Sequence, residues 1–161
     1  MLLAVAVACS QGARAGVAEI SGRMPALAGE LLSGGHLTPA DYRGKIVVVN
    51  FWNPFCGPCI EEAPNLVRAW RELRGQGVLV VGVHFVGGDW PSSIPAAERF
   101  LRRYGVTYPV LEDPSSALAR DFGIQGIPST VVVDSAGEQR FRILGGVKPG
   151  QLEELVAGLR A

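Results

Sequence analysis

The segment Asn50-Phe51-Trp52-Asn53-Pro54-Phe55-Cys56-Gly57-Pro58-Cys59 places two cysteines where a strand gives way to a helix. Residues 45–51 form a mostly apolar, β-branched run that is typical of a buried strand, and residues 60–74 have helical character. We therefore expect Cys56 in the first turn of the helix and Cys59 about one turn inside it. This spacing allows the two sulfurs to meet in a small ring.

The position of these cysteines predicts thiol–disulfide chemistry. A helix N-terminus presents unpaired N–H groups and the positive end of the helix dipole, and both favour a thiolate over a thiol. The pKa of free cysteine is about 8.5, and C-x-x-C settings lower it to roughly 3.5–7.5. Cys56 is nearer the helix end and the solvent, so it is the predicted nucleophile. Cys59 is the predicted resolving thiol, which closes the disulfide and releases the partner.

Zinc binding and a purely structural disulfide are the alternative roles for the pair. A structural zinc site usually has four ligands, but the sequence has no second C-x-x-C pair, and His36 and His84 have no motif partner. A disulfide that closes so short a loop removes little entropy from the unfolded chain. The sequence favours the redox role, and it implies neither a metal ion nor an organic cofactor.

Several motifs together resemble the thioredoxin superfamily. Trp52 stands four residues before the first cysteine, and Pro64 stands five residues after the second. A distant motif, Gly123-Ile124-Gln125-Gly126-Ile127-Pro128-Ser129-Thr130, precedes a strand-like run. In that superfamily the proline of this motif is cis and lies against the C-x-x-C pair. The resemblance implies the same for Pro128.

The surrounding residues resemble the extracytoplasmic TlpA/ResA branch of this superfamily. They comprise residues 24–27, residues 41–45 and Glu62, which follows Cys59 by three positions. The likeness runs from about residue 24 to the C-terminus. It implies an α/β thioredoxin fold, in which helices flank a central mixed β-sheet, with an added N-terminal β-hairpin. The domain is expected to span residues 23–161.

The resemblance also implies roles for residues around the cysteines. In thioredoxin an acidic residue handles the proton of the second cysteine, but Asn50 occupies the matching position here and cannot accept a proton. Glu62 is the candidate base, since the TlpA branch has a glutamate at this place; an ordinary solvated carboxylate is the alternative. The backbone of Ile127 and Pro128 is expected to pair with an extended substrate segment. The residues expected to contact substrate are Trp52, Phe55, Pro58, Ile127 and Pro128.

Turn residues and hydrophobic periodicity divide the rest of the domain into short elements. Residues 27–32 and 36–38, around a glycine turn, predict the added hairpin. The remaining predicted strands are 78–85, 108–112, 129–134 and 139–144, and the predicted helices are 57–74, 96–104, 115–122 and 149–159.

The strand of residues 78–85 ends beside the expected site. Its His84 is expected to be a hydrogen-bonded core residue rather than a catalytic one. The following loop, residues 86–95, leaves the end of the strand that faces the site in parallel sheets. Asp89 or Trp90 can therefore border the cysteines, with an ordinary surface position as the alternative.

The first 22 residues differ in character from the domain. Residues 2–8 are apolar but too few to span a bilayer, and they resemble the end of a signal peptide. Ala6-Val7-Ala8-Cys9-Ser10 resembles a bacterial lipobox with alanine in place of the usual leucine, which implies lipidation of Cys9. A disordered terminus with a free or buried thiol is the alternative. Residues 11–22 are expected to form a tether.

Composition and resemblance together define the expected function. The 161 residues suffice for one domain with a sizeable core, and the 15 basic and 15 acidic residues give a formal net charge of zero. No basic run favours nucleic-acid binding. We expect a thiol–disulfide oxidoreductase anchored at the extracytoplasmic face of a bacterial membrane, or periplasmic or secreted if Cys9 is not lipidated.

The sequence is compatible with more than one direction of electron flow. The Gly57-Pro58 pair and Ile127 resemble reducing members, which implies a membrane electron donor and disulfide-bonded protein substrates, for example in cytochrome c maturation. A thiol oxidase of the same fold, with a thiol-oxidising partner, is the first alternative. A metallochaperone and a peroxide reductase are further alternatives, but the sequence lacks the longer cysteine spacing of the former and the peroxidatic setting of the latter.

Overall fold

The structure is a computed structural model that describes residues 16–87 and 92–160. The strands are β1 Val17–Glu19, β2 Gly29–Glu30, β3 His36–Leu37, β4 Ile46–Trp52, β5 Val78–Phe85, β6 Val110–Asp113, β7 Ser129–Val133 and β8 Gln139–Leu144. The helices are α1 Pro39–Tyr42, α2 Gly57–Leu73, α3 Ile94–Tyr104, α4 Ala117–Asp121 and α5 Gln151–Arg160. From β4 onwards, each predicted strand and helix is present, with ends that differ by no more than two residues.

The central sheet has six strands in the order β1-β8-β7-β4-β5-β6. β4 pairs in parallel with β5 and antiparallel with β7, so the sheet is mixed. All seven residues of β4 are buried because helices cover both faces of the sheet. The predicted thioredoxin fold is confirmed.

The two faces of the sheet build two apolar clusters. Alternate residues of β4, beginning with Ile46 and Val48, pack against buried side chains of α2, α3 and α5. The intervening residues, including Val47 and Val49, pack against α1, α4 and the segment around the hairpin. The period-two alternation of a strand therefore directs Asn50 and Trp52 towards α2, the helix that carries the cysteines.

The added hairpin is present, and β2 and β3 pair antiparallel to form it. Its turn contains Gly34 and Gly35, whose φ angles of 86° and 85° are positive, a region that glycine adopts without steric cost. Within the described residues, no helix is long and apolar enough to cross a membrane.

The tether predicted for residues 11–22 is wrong for the part that forms β1. Val17–Glu19 pair antiparallel with β8, with Val17 opposite Ile143. This short strand satisfies backbone groups that would otherwise leave β8 as an open sheet edge. A strand of three residues is too short to show a periodic pattern. Cys9 and the rest of the predicted leader lie outside the described residues.

Candidate active site

Cys56 and Cys59 form a disulfide at the N-terminus of α2, with their Cα atoms 5.2 Å apart. Cys56 is the N-cap residue of the helix, and the Cys59 N–H donates to Cys56 Sγ over 3.3 Å. The preceding turn is held by Asn53, whose side-chain oxygen accepts from Phe55 N–H and whose carbonyl accepts from Cys56 N–H, both at 3.1 Å. A helix N–H directed at Cys56 Sγ stabilises a thiolate on that sulfur.

The expected difference in exposure between the two cysteines is absent in the disulfide form. Cys56 and Cys59 are each 1% exposed. What distinguishes them is their position on the helix, because among the described residues Cys56 Sγ accepts an N–H of the first turn and Cys59 Sγ accepts none.

Glu62 is buried on α2, three residues after Cys59 and therefore on roughly the same side of the helix. Its carboxylate accepts one hydrogen bond from Asn50 Nδ2 and one from Val147 N–H, both 2.8 Å long. Asn50 Nδ2 also donates to Thr130 Oγ1 over 3.0 Å. The Asn50 amide is therefore held between Glu62 of α2 and Thr130 of β7. Burial opposes the charged form more strongly than these donors favour it, and raises the pKa of Glu62 from 4.5 to about 7.

Asn65 completes this arrangement one turn further along α2. Its Nδ2 donates to the Val147 carbonyl over 2.9 Å, while Val147 N–H donates to Glu62. The helix thus holds both backbone groups of one residue that is more than 80 positions away in the chain. No sequence motif marks Asn65 or Val147 as part of the site.

A cleft of about 270 Å³ leads from Glu62 to the surface between α2 and the loop before α5. It is lined by Pro58, Gly146 and Lys148, among others. A Cβ atom added to Gly146 would lie 3.6 Å from Glu62 Cβ, an ordinary van der Waals contact, so the loop packs closely against the Glu62 side chain. The neighbouring Glu61 also lines this cleft but is exposed.

The Ile127–Pro128 peptide bond is cis, which confirms the prediction. Phe51 lies opposite Ser129 in the sheet, so Pro128 lies at the end of β4 that leads to the cysteines. The Pro128 carbonyl accepts from Gly145 N–H over 3.0 Å. By contrast, the backbone of Ile127 makes no hydrogen bond with any other described residue.

Comparison with known proteins identifies the family of this chain. Residues 20–141 match the model of the AhpC/TSA family. This chain belongs to the AhpC/TSA family.

The chain is also similar to individual proteins of known activity class. It is 38% identical over 127 residues to the thiol:disulfide interchange protein HelX of Rhodobacter capsulatus, which covers 75% of this chain and 67% of HelX. It is 29% identical to the thiol-disulfide oxidoreductase ResA of Halalkalibacterium halodurans, over 79% of this chain and 69% of ResA. The predicted thioredoxin-superfamily, ResA-like membership is confirmed, and the protein is a thiol–disulfide oxidoreductase.

A solved structure agrees with the fold of this family member. A DsbF homologue from Corynebacterium diphtheriae superposes with a TM-score of 0.78 at 26% identity, over 93% of this chain and 96% of that one.

The residues expected to contact substrate divide into exposed and buried ones. Phe55 is 53% exposed, Pro58 is exposed, and Ile127 is half-buried beside the cis bond. Trp52 is only 3% exposed and stacks on Phe100 with ring centroids 4.5 Å apart. In the disulfide form α3 covers the Trp52 ring, and its contact with substrate stays a prediction.

His84 is buried next to Trp52, with ring centroids 5.6 Å apart. Burial lowers the pKa of His84, which favours the neutral ring. Its Nε2 has no hydrogen-bond partner within the described residues, so the expectation of a hydrogen-bonded core histidine is wrong for that atom. Asp89 and Trp90 lie outside the described residues. Within the part that the structure describes, no group of three or more His, Cys, Asp or Glu residues could hold a metal ion.

Proposed function

We propose that this oxidoreductase reduces disulfides of other proteins outside the cytoplasm. The observation that carries the proposal is the unequal environment of the two sulfurs. Cys56 Sγ receives the Cys59 N–H at the helix N-terminus, whereas Cys59 shares its side of α2 with the buried carboxyl of Glu62.

In the first step, the Cys56 thiolate attacks one sulfur of a substrate disulfide. The substrate S–S bond breaks and a mixed disulfide with Cys56 forms, while the other substrate sulfur leaves as a thiolate and takes a proton from water. The backbone groups of Ile127, which make no hydrogen bond with any described residue, are available to pair with an extended substrate segment on this side of the site.

In the second step, Cys59 loses its proton to the Glu62 carboxylate and attacks the Cys56 sulfur. The mixed disulfide breaks, the second substrate sulfur leaves as a thiolate, and the Cys56–Cys59 disulfide forms. With its pKa raised to about 7, Glu62 is a stronger base than an ordinary carboxylate and is still largely ionised at slightly alkaline pH. The cleft beside Gly146 gives the transferred proton a way to solvent.

The environment of Cys56 favours the reducing direction. A strongly oxidising protein has a heavily stabilised thiolate, with a nucleophile pKa near ~3.5 and a potential of about −120 mV, whereas a reducing one lies near about −270 mV. Here, within the described residues, a single N–H supports the Cys56 sulfur. The oxidase alternative has no such support.

The location, anchor and substrate are finer parts of the same proposal. The lipobox-like residues around Cys9 support a lipid anchor at the outer face of the membrane, with a membrane protein as electron donor. For a reductase anchored at the outer face of the membrane, we propose apocytochrome c as the substrate. Mass spectrometry of the membrane fraction tests the anchor, and an unlipidated Cys9 would contradict it.

Trapping tests the roles of the two cysteines. Cys59→Ser is expected to accumulate a stable mixed disulfide with a disulfide-bonded protein substrate, because the resolving thiol is gone. Cys56→Ser is the matched control and should trap nothing. Equilibration with glutathione tests the direction: a potential below about −220 mV supports a reductant, and one near about −120 mV would instead support the oxidase alternative.

A further inference from the structure

An open groove of about 460 Å³ lies beside the Cys56 turn, between that turn and α3. Phe55 forms one wall, and Ile60 and Phe100 supply apolar surface inside it. Arg99 and Arg103 form the rim on the α3 side. We call this feature the α3 groove. Phe55 directly precedes the predicted nucleophile, so the groove adjoins the reacting sulfur.

Among the described residues, the lining of the α3 groove includes two arginines and no acidic side chain. Arg99 and Arg103 are four residues apart on α3, so they project from one side of the helix, and both are exposed. Neither has a carboxylate partner in the described part of the chain, and the Arg103 guanidinium lies over the Tyr104 ring, 5.8 Å from its centroid. Two like charges at this spacing repel each other.

Arg102 of the same helix shows the ordinary arrangement. It lies 3.9 Å from Glu98, an ion pair between successive turns, and it does not line the α3 groove. The positive charge of the groove is therefore a local feature of one helix face, in a chain whose formal net charge is zero.

We propose that the α3 groove binds an acidic segment of the partner protein next to its reactive disulfide. An apolar side chain of the segment packs against Phe55 and Phe100, and an Asp or Glu pairs with Arg99 or Arg103. An extended chain advances about 3.3 Å per residue, so residues within a few positions of the attacked cysteine reach the groove. The inference rests on the proposed reductase function, because it assigns substrate specificity to the same site.

Three synthetic disulfide peptides test this inference. They are identical except that the positions flanking the cysteines carry Glu, Ser or Lys. The rate of the first attack by the reduced protein is measured for each peptide at low and high salt. Each rate is divided by the rate of the same peptide with dithiothreitol, because flanking charges alter the intrinsic reactivity of a disulfide.

The wild-type protein should prefer the Glu peptide over the Ser peptide by about 2- to 5-fold for each arginine engaged. The Lys peptide should be the slowest, and high salt should remove the differences. In the variant with Arg99→Gln and Arg103→Gln, the Glu-to-Ser ratio should fall towards one. Arg102→Gln removes the same charge from the same helix outside the groove, and should keep the wild-type ratio.

Two outcomes would overturn the inference. One is an equal normalised rate for the Glu and Ser peptides with the wild-type protein. The other is a fall of the ratio in Arg102→Gln as large as in the double variant, which would indicate a general effect of charge. The single variants Arg99→Gln and Arg103→Gln, each checked by circular dichroism, serve if the double variant fails to fold. Failure of the proposed function gives a different result: the reduced wild-type protein would leave the Ser peptide disulfide intact.

Discussion

The two sides of the Cys56–Cys59 disulfide are chemically opposite. On the inner side, Glu62 is 2% exposed, and its carboxylate accepts hydrogen bonds from Asn50 and Val147. On the outer side, Phe55 is 53% exposed and borders a groove whose two arginines have no carboxylate partner among the described residues. Burial adjusts the pKa of a base, and exposure allows contact with a partner. A strand-to-helix junction provides both environments within a few residues.

The largest expected effect comes from removing the base on the inner side. Glu62→Gln preserves the shape of the side chain but cannot accept a proton, and its amide oxygen can keep only one of the two hydrogen bonds that the carboxylate accepts. Release of the mixed disulfide should slow by about 10²-fold, the lower range for a general base, while the first attack by Cys56 changes little. Stopped-flow fluorescence resolves the two phases. Glu61→Gln, the exposed neighbour, is the control and should change neither phase.

The stability of the disulfide form should depend on pH through the same carboxyl. Below pH 4.5 the Glu62 carboxyl is protonated in both the folded and the unfolded chain, so its burial is not penalised. As the pH rises from 4.5 to 7, the unfolded chain releases this proton first, and the free energy of unfolding falls. The shift from 4.5 to about 7 corresponds to a loss of about 3 kcal/mol, complete above pH 7.

Urea unfolding at pH 4.5 and pH 8 measures this loss. Glu62→Gln should lack this contribution, so that its stability relative to the wild type rises with pH. Glu61→Gln should follow the wild type. Parallel pH profiles for the wild type and Glu62→Gln would mean that the folded protein does not penalise the charged carboxyl.

A change on the outer side should affect the first attack by Cys56 rather than the release of the mixed disulfide. Phe55→Ala removes the exposed wall of the α3 groove, and the lost apolar contact should slow the first attack on a protein disulfide by about 5-fold. Release of the mixed disulfide by Cys59 should stay close to the wild-type rate. A comparable loss in the release phase would show that the two sides are not separable.

The smallest effect is expected from the indirect support of the base. Asn65→Ala removes the hydrogen bond to the Val147 carbonyl and should loosen the N–H that Val147 gives to Glu62. Losing part of this donor destabilises the carboxylate, so the pKa of Glu62 should rise and the release phase should slow by about 2- to 3-fold at neutral pH. If Asn65 has only a structural role, Asn65→Ala would lower the free energy of unfolding but would leave the pH midpoint of mixed-disulfide release unchanged.

The sequence was sufficient for the parts of the site that depend on neighbours in the chain. The cysteine spacing and the strand-to-helix junction are local, and the resemblance supplied the cis bond before Pro128. The hydrogen-bond network around Glu62 was not predictable. Val147 reaches Glu62 only when the loop before α5 folds onto α2, and Thr130 reaches Asn50 only when β7 pairs with β4.

Two further differences have tertiary causes. Trp52 stands next to the exposed turn in sequence, yet Phe100 of α3 covers its ring. β1 forms because its backbone pairs with the edge of β8, and not because its own three residues show a strand pattern. Sequence patterns report which residues can be buried, and packing decides which neighbour buries them.

The pH dependence of mixed-disulfide release tests the role of Glu62 most directly. The release rate of the wild type should increase with pH through a midpoint near 7, the pKa that burial gives Glu62. In Glu62→Gln the same rate should be low and lose that midpoint, rising only where Cys59 ionises without help, while Glu61→Gln keeps the wild-type profile. An unchanged midpoint and rate in Glu62→Gln between pH 6 and 8 would contradict the account and assign the proton to another group.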